Sequence, residues 1–558
     1  MENIIYSDLD DMIVKNINKG MYIHIAATMS RPNAAVNSLV RCFKKDSPEF
    51  TISATGLVGN LHAIAMSGIA KHVITGFFGD NCPKPRPNWV YKNIISKGEP
   101  FTVEQTSMLT LIERLMGGAL NLPYVTTNSL TDSDLLNEAR DYAFKINDPC
   151  DSKKSITLLK SLSPDITLVH GICADEKGNV VLSGPLGEGN WGCLAAKKGV
   201  LVTVEKIVSS EVIKKNIDKV VIPGDRVIGV CEVPFGAYPQ GMRIDGVVDI
   251  ENYYDDYDYF DEARNATKTS ENTEKWFDKW INIGQAEYLE MIRREKKSII
   301  CKPTLPKIDI EPTGKPSVGE ILIILASRAI IEKVKKYKYR TILAGIGFAH
   351  IAAWIASSVL EKQGIHVRIM SELGFYGMVP YYGDVFLFSQ RHAANCEKWS
   401  NVLEILGAQV GYQRKCLGVL GAAEVDEEGN INSTLLKDGS FMTGSGGAND
   451  IASVTDSMVI VAAGKKRMVN KVEFITSPGT NVKDVVTTFG RFGRNNKNEK
   501  FKLETWYSEE SLYKDPKDNI NNLTNWAVDV DKDLIEEANI SFEERKLVWT
   551  IDPEGVYR

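Results

Sequence analysis

The chain has 558 residues, too many for one hydrophobic core, because single cores stop growing beyond roughly 250 to 300 residues. Its 66 basic and 72 acidic residues give a net charge of -6, which excludes the strongly basic field typical of nucleic-acid binding and favours a small-molecule partner. The 9 cysteines are scattered without a C-x-x-C pair, so we expect neither a disulfide framework nor a metal site.

The N-terminal sequence is acidic and lacks the basic region and apolar core of a signal peptide. Together with the scattered cysteines, this predicts a reducing, cytoplasmic location. Strand-like apolar runs then alternate with helical segments, at residues 22–26, 166–170, 200–204, 220–222, 367–370, 417–420, 458–462 and 472–476. This alternation predicts an α/β protein with largely parallel sheets.

Three short motifs occur twice in the same order. They are Asp-Glu-Lys-Gly-Asn at 175–179 and Asp-Glu-Glu-Gly-Asn at 426–430, the glycine loops at 187–190 and 444–447, and the Pro-Gly pairs at 223–224 and 478–479. Each motif alone is an ordinary turn sequence. Their shared order predicts two related open α/β domains.

The boundary between the domains is predicted in a proline-rich stretch at 301–319, which contains four prolines: Pro303, Pro306, Pro312 and Pro316. Such a stretch is typical of an extended linker. We therefore expect one domain at 1–300, a linker at 301–319 and a second domain at 320–558.

The run at 341–360 contains no Lys, Arg, Asp or Glu and is long enough to span a membrane. Gly345 and Gly347 interrupt it, so a strand, a glycine loop and a buried helix explain it better. The loop does not indicate a dinucleotide site, because His350 stands where the third glycine of that motif would fall. No P-loop, G-x-S-x-G or H-E-x-x-H motif occurs either.

Glu372 lies in the turn Ser-Glu-Leu-Gly at 371–374, directly after the strand-like run at 365–370. A carboxylate at the end of a strand, with Gly374 leaving room beside it, can act as a nucleophile. The alternative is an ordinary solvated loop residue. His392, some twenty residues later, is a possible base, but the sequence indicates no partner for it.

The loop Gly-Ser-Gly-Gly at 444–447 precedes a predicted helix. Its backbone N–H groups could bind a phosphate or stabilise the oxyanion of acyl transfer. The loop could also be a simple strand-to-helix turn.

Taken together, the segments at 421–434, 444–449 and 472–479 closely resemble the second subunit of the family I CoA-transferases, of which the glutaconate enzyme is a member. The segments at 117–123, 165–170, 202–208 and 234–239 resemble the first subunit. The resemblance covers nearly the whole chain, with both subunits fused through the linker. It implies a duplicated CoA-transferase fold.

The resemblance implies that Glu372 is the catalytic nucleophile of a ping-pong cycle. CoA would move from an acyl-CoA donor to a carboxylic acid acceptor through an acyl-glutamyl anhydride and a glutamyl-CoA thioester. The Gly447 N–H would stabilise the oxyanion, and Gly446 would shape its loop. CoA would be a substrate, with no cofactor permanently bound and no ATP consumed.

Asn81 and Gly374 are the expected substrate-binding positions, Asn81 falling where the glutaconate enzyme has a serine. The family motif at 122–129 lacks its arginine, so glutaconate is not the expected substrate. Relatives form larger assemblies, which implies a homo-oligomer without a membrane or nucleic-acid partner. The alternative function is an acyl-CoA hydrolase or decarboxylase on the same fold, although such relatives lack the nucleophilic glutamate.

Overall fold

The computed structural model describes residues 3–26, 29–304, 306–411, 415–508 and 516–558, with the backbone alone for 516–519. It contains two large, mainly parallel sheets, one in each half of the chain. The predicted α/β class with two sheet-containing domains is therefore confirmed.

The first half contains these strands: β1 (Ile5–Tyr6), β2 (Tyr22–Ile25), β3 (Phe50–Ser53), β4 (Ala70–Thr75), β5 (Thr102–Gln105), β6 (Tyr124–Thr127), β7 (Ala143–Asn147), β8 (Ser155–Lys160), β9 (Ile166–Asp175), β10 (Val180–Val181), β11 (Gly199–Val208), β12 (Val220–Ile222) and β13 (Val227–Glu232). The large sheet has the order β1-β13-β11-β9-β2-β3-β4-β5, and every pair along this path is parallel. Strands β10 and β12 extend it in antiparallel fashion, and β6, β8 and β7 form a separate small sheet.

The helices of the first half are α1 (Leu9–Asn16), α2 (Asn33–Phe43), α3 (His62–Ser67), α4 (Met108–Ala119), α5 (Asp134–Glu138), α6 (Trp191–Ala195), α7 (Ser210–Lys215), α8 (Tyr257–Ala266), α9 (Ser270–Trp280), α10 (Gln285–Met291) and α11 (Lys297–Cys301). Short 3-10 turns occur at Gly59–Leu61, Trp89–Tyr91, Ile217–Lys219 and Gly224–Arg226, and a π-helical segment lies at Ile292–Lys296.

The second half contains the strands β14 (Thr341–Ala344), β15 (Arg368–Ser371), β16 (Phe375–Tyr376), β17 (Lys398–Trp399), β18 (Cys416–Gly421), β19 (Glu424–Val425), β20 (Ile431–Asn432), β21 (Ser457–Ile460), β22 (Val482–Thr487), β23 (Gly490–Gly493), β24 (Lys502–Trp506) and β25 (Asp529–Glu536). Its large sheet has the order β17-β16-β15-β14-β18-β21-β22-β23-β24-β25. The central pairs from β15 to β22 are parallel.

The helices of the second half are α12 (Val318–Tyr337), α13 (Phe348–Lys362), α14 (Ala448–Val454), α15 (Pro516–Leu523) and α16 (Phe542–Ile551). A π-helical segment lies at Leu403–Gln409, and 3-10 turns lie at Gln390–Asn395 and Gly479–Asn481. The apolar run at 341–360 forms β14, a glycine loop and most of α13, as predicted. In the described residues, no helix combines the length and apolar character that crossing a membrane requires.

The predicted strand at 472–476 is wrong, because these residues do not join a sheet. They pack against the first half instead. Ile475 exchanges hydrogen bonds with Asp134, donating to its Oδ2 at 2.8 Å and accepting from its backbone N–H at 2.9 Å. A β-prone run here satisfies its backbone groups through contacts between the halves rather than through a ladder.

The duplicated motifs form the same hydrogen-bonded turn in both halves. Asp175 Oδ1 accepts the backbone N–H of Asn179 at 2.9 Å, and Asp426 Oδ1 accepts that of Asn430 at 2.9 Å. Each Asn side chain then accepts the N–H of the glycine in its Pro-Gly pair, at 3.2 Å for Gly224 and 2.8 Å for Gly479. The paired motifs recur because each holds the other in place.

The segment between the halves is packed rather than free in solvent. Arg545 on α16 donates from Nη1 to Gly314 O at 2.8 Å and from Nη2 to Thr313 O at 2.9 Å. No helix or strand occurs at 302–317 among the residues that the structure describes there. A single hydrophobic core cluster includes side chains from both halves, among them Phe78 and Phe441, whose rings are 5.6 Å apart.

Candidate active site

A cavity of about 510 Å³ lies between the two halves. Its second-half wall follows the carboxyl ends of neighbouring parallel strands: 344–348 after β14, 372–373 after β15, 420–423 at the end of β18 and 460–462 at the end of β21. The chain passes from β14 to β15 on one side and later places β18 on the other side. Such a switch in strand order opens a crevice, which is where open α/β sheets bind ligands.

Glu372 lies at this edge, in a tight turn that connects β15 to β16. Ser371 pairs with Phe375 across the turn, and the Gly374 N–H donates to Ser371 O at 3.0 Å. Gly374 has a φ of 114°, and a Cβ there would lie 2.3 Å from Ser400 O. The turn therefore requires glycine, and its rigidity fixes the direction of the Glu372 side chain into the cavity.

Gly447 lies directly against the Glu372 carboxylate. A Cβ on Gly447 would lie 2.0 Å from Glu372 Oε2, so no larger residue leaves the carboxylate in place. The Gly447 N–H also forms a hydrogen bond with the carboxylate. The structure thus brings together the predicted nucleophile and the predicted oxyanion donor.

The glycine loop is held by the first half of the chain. Phe78 N–H donates to Thr443 O, Gly446 N–H donates to Gly76 O, and Met108 N–H donates to Gly446 O, each at 2.9 Å. Gly446 has a φ of 52°, in the left-handed region. Residues of the first half therefore fix the position of the Gly447 N–H beside Glu372.

Asp450, one turn into α14, is a second buried carboxyl near Glu372. Its Oδ1 accepts from Ser107 Oγ at 2.5 Å and its Oδ2 accepts from Leu109 N–H at 3.0 Å, so it also links α14 to the start of α4. Burial raises the pKa of Asp450 to about 6, although these hydrogen bonds favour its ionised form.

Burial of the carboxyl group, reinforced by the charge of Asp450, raises the pKa of Glu372 to about 7. The hydrogen bond from Gly447 acts in the opposite direction by stabilising the carboxylate. Near neutral pH, a large share of Glu372 is ionised and only sparsely solvated. A carboxylate in this state is a stronger nucleophile than one in bulk water.

The remaining predicted residues occupy different places. Asn81 lines the cavity from the first half, across from the second-half wall. Gly446 also lines it, whereas Gly374 lies behind Glu372 and faces Ser400. His392 is buried with both ring nitrogens engaged, Nδ1 with Tyr381 N–H at 3.0 Å and Nε2 with Phe386 O at 2.9 Å.

Sequence reasoning missed the cations of the cavity and the role of Asp450. Arg31 and Lys84 line the cavity from the first half, and Arg467 lines it from the second. No local motif marks Arg31, whereas Asp450 directly follows the glycine loop and could have been noticed there. In the described residues, no group of three or more His, Cys, Asp or Glu side chains is arranged to hold a metal ion.

Comparison with known proteins gives consistent results along the chain. Residues 6–232 match the family model for coenzyme A transferases. The chain is 29% identical over 253 residues to the A-type polypeptide of 3-oxoadipate CoA-transferase from Pseudomonas knackmussii, covering 45% of this chain and 83% of that polypeptide. It is 30% identical over 149 residues to the B-type polypeptide of glutaconate CoA-transferase from Acidaminococcus fermentans, covering 25% of this chain and 54% of that polypeptide.

An uncharacterized protein from Archaeoglobus fulgidus is 25% identical over 291 residues, and the chain spans 62% of its length. Among solved structures, an acyl-CoA transferase from Escherichia coli O157:H7, in a thioester complex with CoA, shares the fold with a TM-score of 0.66 at 14% identity. That match covers 97% of this chain and 96% of the other.

The fold is therefore that of the CoA-transferases, present in both halves of one chain. The protein belongs to the coenzyme A transferase family of enzymes, as the sequence predicted. Similarity to both an A-type and a B-type polypeptide agrees with the predicted fusion of two subunits.

Proposed function

We propose that this protein transfers CoA from an acyl-CoA donor to a carboxylic acid acceptor, with Glu372 as the covalent carrier. The observation that carries the proposal is the contact of Gly447 with Glu372, because it leaves a carboxylate at the cavity wall with a backbone N–H fixed against it. A solvated loop glutamate would have neither the burial nor the glycine beside it.

The first half-reaction forms an enzyme thioester. A Glu372 carboxylate oxygen attacks the thioester carbonyl, the C–S bond breaks, and CoA leaves as a thiolate from an acyl-glutamyl anhydride. The thiolate then attacks the Glu372 carbonyl carbon and expels the donor acid as its carboxylate. The acceptor carboxylate reverses these steps, leaves as its CoA ester and restores the Glu372 carboxylate.

The Gly447 N–H is placed for the steps that occur on Glu372 itself. When CoA attacks the Glu372 carbonyl carbon, a carboxyl oxygen of Glu372 becomes the oxyanion, and the N–H already contacts this carboxyl group. A donor that is fixed in advance needs no reorganisation, and one such hydrogen bond typically lowers the barrier by about 3 kcal/mol. Gly446 supports this role by anchoring the loop to the first half.

Water must be kept from the anhydride and the thioester, since hydrolysis of either would release CoA without transfer. Apolar side chains line the cavity near the nucleophile, including Phe77, Met108 and Leu373. These side chains favour the acyl chain over water at the reacting carbon.

We further assign the CoA part of the substrate to the second-half wall. Small residues line this wall at 345–347 and 421–423, which leaves a path for the narrow pantetheine arm. Arg467 lies at the exposed end of the wall, after Lys465 and Lys466. Guanidinium groups bind phosphate oxygens well, so Arg467 is the proposed contact for the CoA phosphates.

The alternative function, an acyl-CoA hydrolase or decarboxylase, differs in its need for an acceptor and for Glu372. The test is multiple-turnover loss of an acyl-CoA thioester with and without an added carboxylic acid, for the wild type and Glu372→Ala. We expect loss of the donor only with the acid, formation of the acid's CoA ester in equal amount, and no turnover by the variant. Acid-independent turnover that survives the substitution would establish the alternative.

A further inference from the structure

Arg31 presents a buried positive charge to the cavity that contains Glu372. The residue is 9% exposed, and its Nη1 donates to Gly56 O at 2.8 Å. In the part of the chain that the structure describes, no Asp or Glu side chain forms an ion pair with it. One carbonyl oxygen leaves most of the guanidinium N–H groups free for a ligand.

The protein supplies little charge to balance this guanidinium. Glu188 is the acidic residue that acts on Arg31 electrostatically, but its Oε1 is bonded to His24 Nε2 at 2.7 Å. Burial lowers the pKa of Arg31 to about 10, which still leaves it charged at neutral pH. An uncompensated buried cation is costly, so an anion that enters the cavity gains more than it would at the surface.

The position of Arg31 indicates which part of the substrate it meets. Gly56 packs on Phe77, with a Cβ position 3.4 Å from Phe77 Cβ, and Phe77 reaches towards Gly446, 3.9 Å from its Cβ position. Arg31 is thus separated from the glycine loop by an apolar side chain. The reacting carboxyl belongs beside Glu372, and the CoA phosphates belong at Arg467, so neither occupies Arg31.

We propose that Arg31 binds a second carboxylate at the far end of the acyl chain, so that the protein selects dicarboxylic acids and their mono-CoA esters. This inference rests on the proposed CoA transfer and deepens it. In the bound substrate, the chain between the carboxyl groups lies on Phe77, and the two ends are fixed at Arg31 and Glu372. Two fixed ends position the reacting carbon, which favours transfer beyond the gain in binding.

The test compares matched donors on the wild type, Arg31→Gln and Arg31→Lys. The donors are acyl-CoA esters with two, three or four methylenes and a terminal carboxylate, each paired with an uncharged straight-chain ester of equal length. The rate of CoA adduct formation per donor concentration is measured in single turnover. We expect a wild-type preference for the best carboxylate donor of about 100-fold or more, because a site built for a charged group rejects its analogue strongly.

Arg31→Gln should lose this preference while reacting with the uncharged esters within about threefold of the wild type, since only the distal contact is removed. Arg31→Lys should retain part of the preference, because it keeps the charge but loses the paired N–H geometry. The reaction of the variants with uncharged esters shows that they are folded.

Equal wild-type rates for both members of each pair would overturn the proposal, as would an equal loss for both in Arg31→Gln, which would place a CoA phosphate or a purely structural bond at Arg31. If no donor forms an adduct on the wild type, CoA transfer itself fails. Calorimetric binding of free glutarate then still tests Arg31, because the wild type should bind it and Arg31→Gln should not.

Discussion

Gly447 and Glu372 occupy a space that admits no additional atom, since a methyl group on Gly447 would lie 2.0 Å from Glu372 Oε2. Gly447→Ala should therefore displace the carboxylate and reduce kcat/KM by about 100-fold or more, because a shift of about 1 Å at a reacting group can cost that much. The measurement is transferase activity together with the melting temperature.

Gly284→Ala is the matched control. Gly284 has a φ of -74° and no atom within 4 Å of its Cβ position, so alanine fits there. We expect this variant to have wild-type activity. Wild-type activity in Gly447→Ala would contradict the assigned contact.

The raised pKa of Glu372 predicts a pH dependence of the first half-reaction. The carboxylate form attacks, and its fraction increases as the pH rises through about 7, the pKa of Glu372. The kcat/KM for an uncharged acyl-CoA should therefore increase about tenfold per pH unit below that value and level off above it. A profile that is flat between pH 5.5 and 8.5 would argue against Glu372 as the titrating nucleophile.

Asp450→Asn should move this profile to lower pH. Asp450 contributes a nearby negative charge that raises the pKa of Glu372, so its removal makes ionisation of Glu372 easier. The midpoint of the kcat/KM profile is the quantity to compare. Asp438→Asn, an exposed position in the same half, should leave the midpoint unchanged. An unchanged or higher midpoint in Asp450→Asn would contradict the electrostatic assignment.

Arg467→Glu should weaken binding of CoA esters regardless of their acyl group. We expect the KM of every donor to rise about tenfold, with the preference among acyl chains unchanged, because a phosphate contact is lost and a repulsive charge is added. Steady-state kinetics with a carboxylate donor and its uncharged match would check this. A loss confined to one acyl class would place Arg467 near the acid instead of near CoA.

Much of the fold was predictable because its signals are local. The alternation of apolar runs predicted two α/β halves, and the interruption at Gly345 and Gly347 correctly separated β14 from α13. The run at 472–476 was misjudged because its backbone partners lie in the other half, around Asp134. Local β-propensity does not indicate such distant partners.

The candidate site divides in the same way. Glu372 and the loop at 444–447 were recognisable because each is marked by adjacent glycines. Arg31 carries no such mark, and its importance arises only when folding buries it in a cavity that faces Glu372. The sequence analysis considered a carboxylate-binding arginine only at 122–129, whereas the cavity receives Arg31 from the segment after β2.

The central claim is that Glu372 carries CoA, and intact-mass measurement after incubation with an acyl-CoA tests it most directly. The wild type and Glu361→Gln, an exposed control on α13, should gain the mass of CoA minus water, and peptide mapping should place the adduct on Glu372. Adding an acceptor acid should remove it, and Glu372→Gln should never acquire it. An adduct that persists in Glu372→Gln, or a wild type that turns over donor and acceptor without ever carrying CoA, would contradict the account.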